Sequence, residues 1–536
     1  MSSPLLLRTL FERAVQYFPH NEIVSREDDN VFRYRYKDFG LRVRRLGHAL
    51  EALGVRRGER VATLAWNHYR HLELYFAVPS YGAVLHTVNL RLGDEDLVYI
   101  VNHAEDAVVF VDLDLLPVVE RLAPRLRSVR AYVVLDSVLP STRLRPVFAY
   151  EQLLEGSRSD YAFPTVDENA PAGMCYTSAT TGRPKGVVYT QRSLYLHTLT
   201  LGLADVLAVS EYDTILPVVP MFHVNSWGLP FAGVTMGSKL VLPGVRPRPE
   251  DLLRLIESER VTLAAAAVTV GIDMLKVLAE HPYDISSLRY LMLGGQATPQ
   301  AVMEQYWLRY GVPIFTAWGA TETSPIATCA HVPRHRLTEG VEGRIAVHVR
   351  QGRVVPGLEL RVVDDNGQDV PWDDRTMGEV WVRGPWVARE YYRDLRSRES
   401  FGDGWWHSGD IATIDGDGIL RLVDRKKDLI KSGGEWISSV DLENELMAHP
   451  DVAEACVVAV PHEKWLERPV ACVVLRGTSR DEESAAAELR AWLANKFPKW
   501  WLPDRFLFMH EIPRTGAGKF NKRRLREELR SLAHEW

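Results

Sequence analysis

From about residue 60 to residue 320, short β-branched runs alternate with stretches whose apolar residues recur at helical spacing. The runs are Arg60–Trp66, Ala107–Asp112, Ala131–Asp136, Thr214–Val219, Leu288–Leu293 and Pro313–Ala317. Between them lie helical patterns such as Arg192–Leu207, Pro249–Arg260 and Pro299–Arg309. This alternation predicts parallel α/β sheets covered by helices. An amphipathic helix precedes them in MSSPLLLRTLFERAVQYFP. Around residue 340 the texture changes. Short strands are punctuated by Asn366-Gly367 and Asp415-Gly416-Asp417-Gly418, hairpin signals that predict a small antiparallel β region over roughly 341–424. A charged stretch, Arg425-Lys426-Lys427-Asp428, follows, then Lys431-Ser-Gly-Gly-Glu435. Beyond it the pattern reads helix, strand, strand, helix, strand, helix, with Ser479-x-x-Glu482 offering a capping box. The predicted fold is a large α/β N-terminal domain over 1–424, with two parallel-type α/β subdomains plus the antiparallel region. A smaller α+β C-terminal domain spans 431–536.

Bulk properties narrow the function. A chain of 536 residues exceeds one ordinary core, so two or more domains are expected. A hydrophobic share of 46% with 25% charge is that of a soluble globular protein, and a net charge of −6 gives no reason to expect a nucleic-acid partner. Cys175, Cys329, Cys456 and Cys472 lie far apart, three of them in apolar strand-like runs, which predicts reduced core thiols rather than disulfides or a metal site. The N-terminal apolar run is too short for a signal peptide, and no window holds about eighteen uninterrupted apolar residues. A cytoplasmic protein with no transmembrane segment is expected.

The chemistry concentrates in Gly173–Tyr189, GMCYTSATTGRPKGVVY. It is not a Walker A loop, because Arg183 and Pro184 separate Gly182 from Lys185. Thr177, Ser178, Thr180 and Thr181, the glycine amides and the Lys185 ammonium together describe an anion cradle, and polyphosphate is the anion it suits. Two strand-like runs end in Gly294-Gly295-Gln296 and Trp318-Gly319-Ala320-Thr321-Glu322, at the carboxyl ends where α/β folds bind ligands.

YTSATTGRPKG resembles the phosphate-binding signature of the adenylate-forming enzymes, the superfamily of acyl-CoA synthetases, luciferases and peptide-synthetase adenylation domains. Trp318–Glu322 looks like its G-x-T-E motif and Trp406-His-Ser-Gly-Asp410 like its T-G-D motif. Asp424-Arg425 with Lys427 and Lys431-Ser-Gly-Gly434 looks like its hinge segment, and Pro513-Arg-Thr-Gly-Ala-Gly-Lys519 like its C-terminal lysine loop. The motifs occur in the family's order, and the likeness extends over essentially the whole chain.

The resemblance implies ATP, Mg²⁺ and coenzyme A as cofactor and substrates. Lys519, Glu322, Thr321 and Lys185 are the implied catalytic residues. Thr177, Ser178, Thr180, Thr181, Gly182 and Lys185 would hold the ATP phosphates, with Thr181 and Glu322 at the metal. Gly295, Gln296 and Ala297 would lie along the adenine and Asp410 with Arg425 at the ribose. Trp318, Gly319 and Lys431 are further implied ATP/AMP-binding residues, and Trp318 would add bulk beside the acyl pocket. Gly433, Gly434 and Trp436 would line the pantetheine channel. The C-terminal domain is then mobile, turning about a hinge over 425–430 at Lys427. The chain departs from the family pattern at Ala179, where glycine is usual and φ below zero is expected here, at Ser408 for threonine, and at Trp318.

The segment from Pro220 to Phe231 is similar to that of medium- and long-chain fatty acid–CoA ligases. It lacks the aspartate with which amino-acid adenylation domains pair a substrate ammonium. His223, Val224 and Trp227 are acyl-pocket candidates, whereas Leu229 and Phe231 read as core. The implied reaction is activation of a fatty acid to an acyl-adenylate and its transfer to coenzyme A. An aryl or methylthio-alkanoate ligase shares every motif, and a luciferase-like oxygenase or a nucleotide sensor needs more assumptions. A homodimer is the family's habit.

Overall fold

A computed structural model describes residues 3–28, 30–177, 183–433, 435–477, 481–514 and 520–532. Two seven-stranded sheets form the large N-terminal part. The first runs Val147–Ala149, Ala131–Val134, Asp106–Val111, Arg60–Leu64, Val84–Thr87, Pro171–Tyr176, Gly186–Thr190. Its neighbours are parallel up to the last pair, which is antiparallel. The second runs Ile314–Phe315, Tyr290–Gly294, Leu263–Ala267, Thr214–Pro217, Lys239–Leu242, Glu22–Glu27, Asn30–Arg35, again parallel except for the final pair. The predicted strands are therefore present, within a residue or two at their ends. The two N-terminal strands that complete the second sheet are an addition, because their charged and apolar residues are too mixed to stand out.

Local chemistry explains the helices. Pro249–Glu259 starts with proline at its first position, where no amide hydrogen is needed, and Asp251 accepts from the Arg248 amide at 3.0 Å. Leu7–Tyr17 buries Leu7, Leu10, Phe11 and Ala14 along one face, against a core shared by both sheets. The pattern over Pro299–Arg309 forms a short helix, Gln300–Glu304, that widens into a π turn over Gln305–Arg309.

Residues Gly340–His348 are helical; one antiparallel pair, Ala317–Gly319 with Ile326–Cys329, precedes them and the other antiparallel strands of this region follow. Glu359–Val363, Gly378–Arg383, Trp405–Ile414 and Leu420–Arg425 pair in turn. Both predicted hairpin turns close, with the Gly367 amide on Asp364 O at 3.0 Å and the Gly418 amide on Asp415 O at 2.8 Å. A turn over 426–428 leads to the hairpin Ile430–Ser432 and Glu435–Ile437, which short sequence runs did not signal. The remaining elements follow the predicted order, around the long antiparallel pair Val452–His462 and Leu466–Leu475. Helix Glu482–Ala494 is capped by Asp481, whose side chain accepts from the Ser484 amide. Ser479, the expected cap, lies outside the described residues. All four cysteines are free and buried, as expected of core thiols. Among the described residues, no helix is long and apolar enough to cross a membrane.

Candidate active site

The carboxyl ends of the two large sheets, the antiparallel region and the C-terminal region surround one cavity of about 1510 Å³. Its lining brings together Thr177, Lys185, His223, Val224, Trp227, Gly295, Gln296, Ala297, Trp318, Gly319, Thr321, Glu322, Asp410, Arg425 and Lys427. These predicted residues come from positions spread over 250 residues of chain, so the fold performs the assembly.

On the phosphate side, strand Pro171–Tyr176 ends at Thr177. The Thr177 amide donates to Lys185 O at 2.9 Å, and its hydroxyl accepts from the Lys185 amide at 3.3 Å, closing the neck of the loop. Ser178, Ala179, Thr180, Thr181 and Gly182 lie outside the described residues. The Lys185 ammonium sits 4.3 Å above the centroid of the Tyr391 ring. Burial, then the Arg396 charge, lowers its pKa below the ordinary lysine range.

Glu322 follows a strand end, Ala317–Gly319, in a tight turn over Thr321–Thr323. Gly319 is required there: a Cβ would meet Pro325 O at 1.7 Å. Tyr189 OH donates to Thr321 O at 2.9 Å, and Tyr391 OH donates to Glu322 Oε1 at 2.6 Å. The Glu322 side chain is buried yet lines the cavity.

Asp410, also buried, receives the Trp318 indole N–H on Oδ2 at 2.9 Å, and pairs with Arg425 Nε through Oδ1 at 2.6 Å. The Asp410 charge raises the Arg425 pKa further. Trp318 stacks on Trp406 with an interplanar angle of 18°. The bulky residue at position 318 thus orients the carboxylate, a role that its sequence position did not announce.

The His223–Trp227 side of the cavity rests on an unusual backbone. Val224, Asn225, Ser226 and Trp227 all have positive φ, from 38° to 56°, and Gly228 continues at 78°. Ser226 holds this left-handed turn by donating its hydroxyl to Val219 O at 2.5 Å. The turn sets the Trp227 indole against Gly294, where a Cβ would come within 2.8 Å of the ring. Leu229 and Phe231 are buried in the core.

Across the cavity, Glu443, Asn444, Phe520, Asn521, Lys522 and Arg526 form part of the C-terminal wall. Lys522 Nζ pairs with Glu443 at 2.8 Å, and Arg526 with Asp428 at 2.5 Å. Lys519 and Gly434 lie outside the described residues. Lys431, Gly433 and Trp436 are not brought to the cavity: Lys431 Nζ lies 4.6 Å over the Trp436 ring, and the Gly433 amide donates to Trp465 O at 2.9 Å.

The AMP-binding enzyme family matches residues 11–392, and its C-terminal domain matches 441–519. The chain belongs to this family. It is 46% identical to a long-chain-fatty-acid–CoA ligase of Thermus thermophilus over 534 residues, covering 99% of this chain and 97% of that one. It is 41% identical to a 3-methylmercaptopropionyl-CoA ligase of Ruegeria lacuscaerulensis (99% and 98%) and to a medium-chain-fatty-acid–CoA ligase of Ectopseudomonas oleovorans (98% and 96%). In fold, this AMP-binding enzyme is similar to an anthranilate CoA ligase in complex with anthranoyl-AMP, with a TM-score of 0.89, 24% identity, and coverage of 100% and 99%.

Proposed function

We propose that this AMP-binding enzyme is an acid–CoA ligase for medium- or long-chain fatty acids. In the first step a carboxylate oxygen bonds to the α-phosphorus of ATP and the bond to pyrophosphate breaks. In the second, the sulfur of coenzyme A bonds to the acyl carbon, and AMP leaves with the oxygen. Thr177 and Lys185 anchor the β- and γ-phosphates, together with the hydroxyls of Ser178, Thr180 and Thr181. Thr321 binds the α-phosphate. Asp410, oriented by Trp318 and Arg425, accepts the ribose hydroxyls, and Gly295, Gln296 and Ala297 flank the adenine. A magnesium ion fits the donor set, since the buried Glu322 carboxylate and phosphate oxygens are hard ligands. When bound, it supplies charge neutralisation to the phosphates. Lys519 stabilises the charge of the attacked phosphate.

The single observation that supports this reading most is the shared cavity: the nucleotide candidates and the apolar candidates Val224 and Trp227 line the same space. Phe520, next to Lys519, lines it while Gly433 and Trp436 do not, as expected if the C-terminal region turns about Lys427 between the two steps. A second reading, a ligase for a short substituted acid such as a methylthio-alkanoate, is favoured by the 3-methylmercaptopropionyl-CoA ligase relative and by the bulky Trp227 indole, which packs against Gly294 in the cavity lining.

The test is a panel of acids, from 3-methylthiopropionate and benzoate through C6 to C18 fatty acids, assayed for CoA-dependent AMP and pyrophosphate release. A maximum among C8–C18 supports the proposal, and a maximum at the methylthio acid supports the second reading. No release with any acid overturns both. Cytoplasmic location and homodimer formation are part of the proposal, and fractionation and light scattering test them.

A further inference from the structure

The chain from Gly384 to Ser400 forms a strap between the phosphate loop and the Glu322 turn. At one end Ser324 Oγ donates to Trp386 O at 2.8 Å, Trp386 Nε1 donates to Ile326 O at 3.1 Å, and the Ala388 amide donates to Glu322 O at 2.7 Å. At the other, the Tyr392 amide donates to Gly186 O at 2.8 Å, and Arg396 donates to Arg183 O at 3.1 Å. Between these anchors stands Tyr391, 4% exposed. Its ring carries the Lys185 ammonium and its hydroxyl binds Glu322 Oε1.

Lys185 and Glu322 are opposite charges facing one partly desolvated space. Both touch the Tyr391 side chain and attract each other, and an ion pair between them would have to be broken by magnesium and phosphate. We propose that Tyr391 is a positioning residue that keeps these two charges apart and holds Glu322 ready for the metal ion. The inference rests on the reading of Glu322 as the metal ligand. Each charge is given a neutral partner weaker than an ion pair: a ring face for the ammonium and a single hydroxyl for one carboxylate oxygen. Ser397 fixes the strap at this point, its Oγ accepting from the Tyr391 amide at 2.8 Å.

The test measures ATP binding by calorimetry on the full chain, without metal and across a Mg²⁺ titration. Tyr391→Phe keeps the ring and removes the hydroxyl. It is expected to raise the half-saturating Mg²⁺ concentration about tenfold, with ATP affinity in the absence of metal unchanged. Tyr391→Leu removes both contacts and is expected to weaken metal-free ATP binding as well. Ser397→Ala, which loosens the strap without touching the ring, is expected to move the Mg²⁺ midpoint in the same direction by less, and it serves if the Tyr391 variants misfold. An unchanged midpoint in Tyr391→Phe, or in Ser397→Ala where that variant must stand in, overturns the inference while leaving Glu322 as ligand intact. A wild-type enzyme whose ATP affinity ignores Mg²⁺ overturns the metal reading itself, and the inference with it.

Discussion

On the wall that carries Lys185, Glu322 and Asp410, neutral partners supply directional bonds, chiefly Tyr391 OH on Glu322 and the Trp318 indole on Asp410, with one ion pair, Asp410 to Arg425, reaching across to the facing wall. On the facing wall, from Asp424 to Glu527, charge more often holds charge: Lys522 meets Glu443 at 2.8 Å and Arg526 meets Asp428 at 2.5 Å. Hydrogen bonds weaken steeply when misaligned, whereas an ion pair depends mainly on distance. The first wall is therefore suited to fixed geometry, whereas the second tolerates small shifts of its parts.

Lys519→Ala separates the two walls with the largest expected effect. Acyl-adenylate formation should fall by more than about 1000-fold, while supplied acyl-adenylate is still converted to acyl-CoA. Equal loss in both half-reactions would remove the case for a turning C-terminal wall. Glu322→Gln, on the fixed wall, should slow pyrophosphate release about 100- to 1000-fold with a much smaller loss of ATP binding. Near-normal release would sink its assignment. Lys427→Pro should do the reverse of Lys519→Ala, because proline fixes φ near −65° and obstructs the turn. The thioester step should slow by about tenfold or more, 1.4 kcal/mol of barrier, with adenylation retained.

Acid should break the fixed side first. Burial lowers the pKa of His71 and His348 to about 4, and of His197 to about 3; all three belong to the large N-terminal part. Their unfolded-state values lie near 6.5, so in the window between, the unfolded chain binds more protons. Stability is then present above about pH 6.5 and is lost as pH falls toward 4, by up to about 1.4 kcal/mol per pH unit for each group. A Tm that stays level from pH 6.5 to 4.5 would contradict this. The smallest effect is expected of Trp227→Ala, which should remain folded and shift preference toward longer acids, each further methylene adding about 0.8 kcal/mol, roughly fourfold in kcat/KM. If no soluble variant is obtained, Trp227 is a core residue instead.

What the sequence made legible was mostly local. The phosphate-loop motif is a contiguous run whose donors and glycines announce an anion, so Thr177 and Lys185 could be named. Glu322 and Asp410 could be named from the family resemblance of their motifs, and the alternation of strands and helices anticipated both parallel sheets. Contacts that join distant runs could not be read. Tyr391 meets Glu322 across 69 positions, and Lys522 meets Ser439 across 83. The basic run Lys519–Arg526 read alone fits a solvated helix face, and only the fold supplies Glu443 and Asp428 as partners. The strands Glu22–Glu27 and Asn30–Arg35, the second of them at the sheet's edge, escaped because their charged residues blur the period-two pattern.

The left-handed turn at Val224–Trp227 bears on how such a pocket diversifies. A β-branched residue at φ 38° and three more side chains beyond it occupy backbone that glycine adopts without cost. Random change here is constrained: glycine at these positions relieves backbone strain but slackens the turn that aims Trp227, and at Asn225 it also removes a buried acceptor of the Cys175 thiol. If Trp227 faces the acid, as proposed, changes of preference should concentrate in this segment. A library confined to 224–228 is the place to find them.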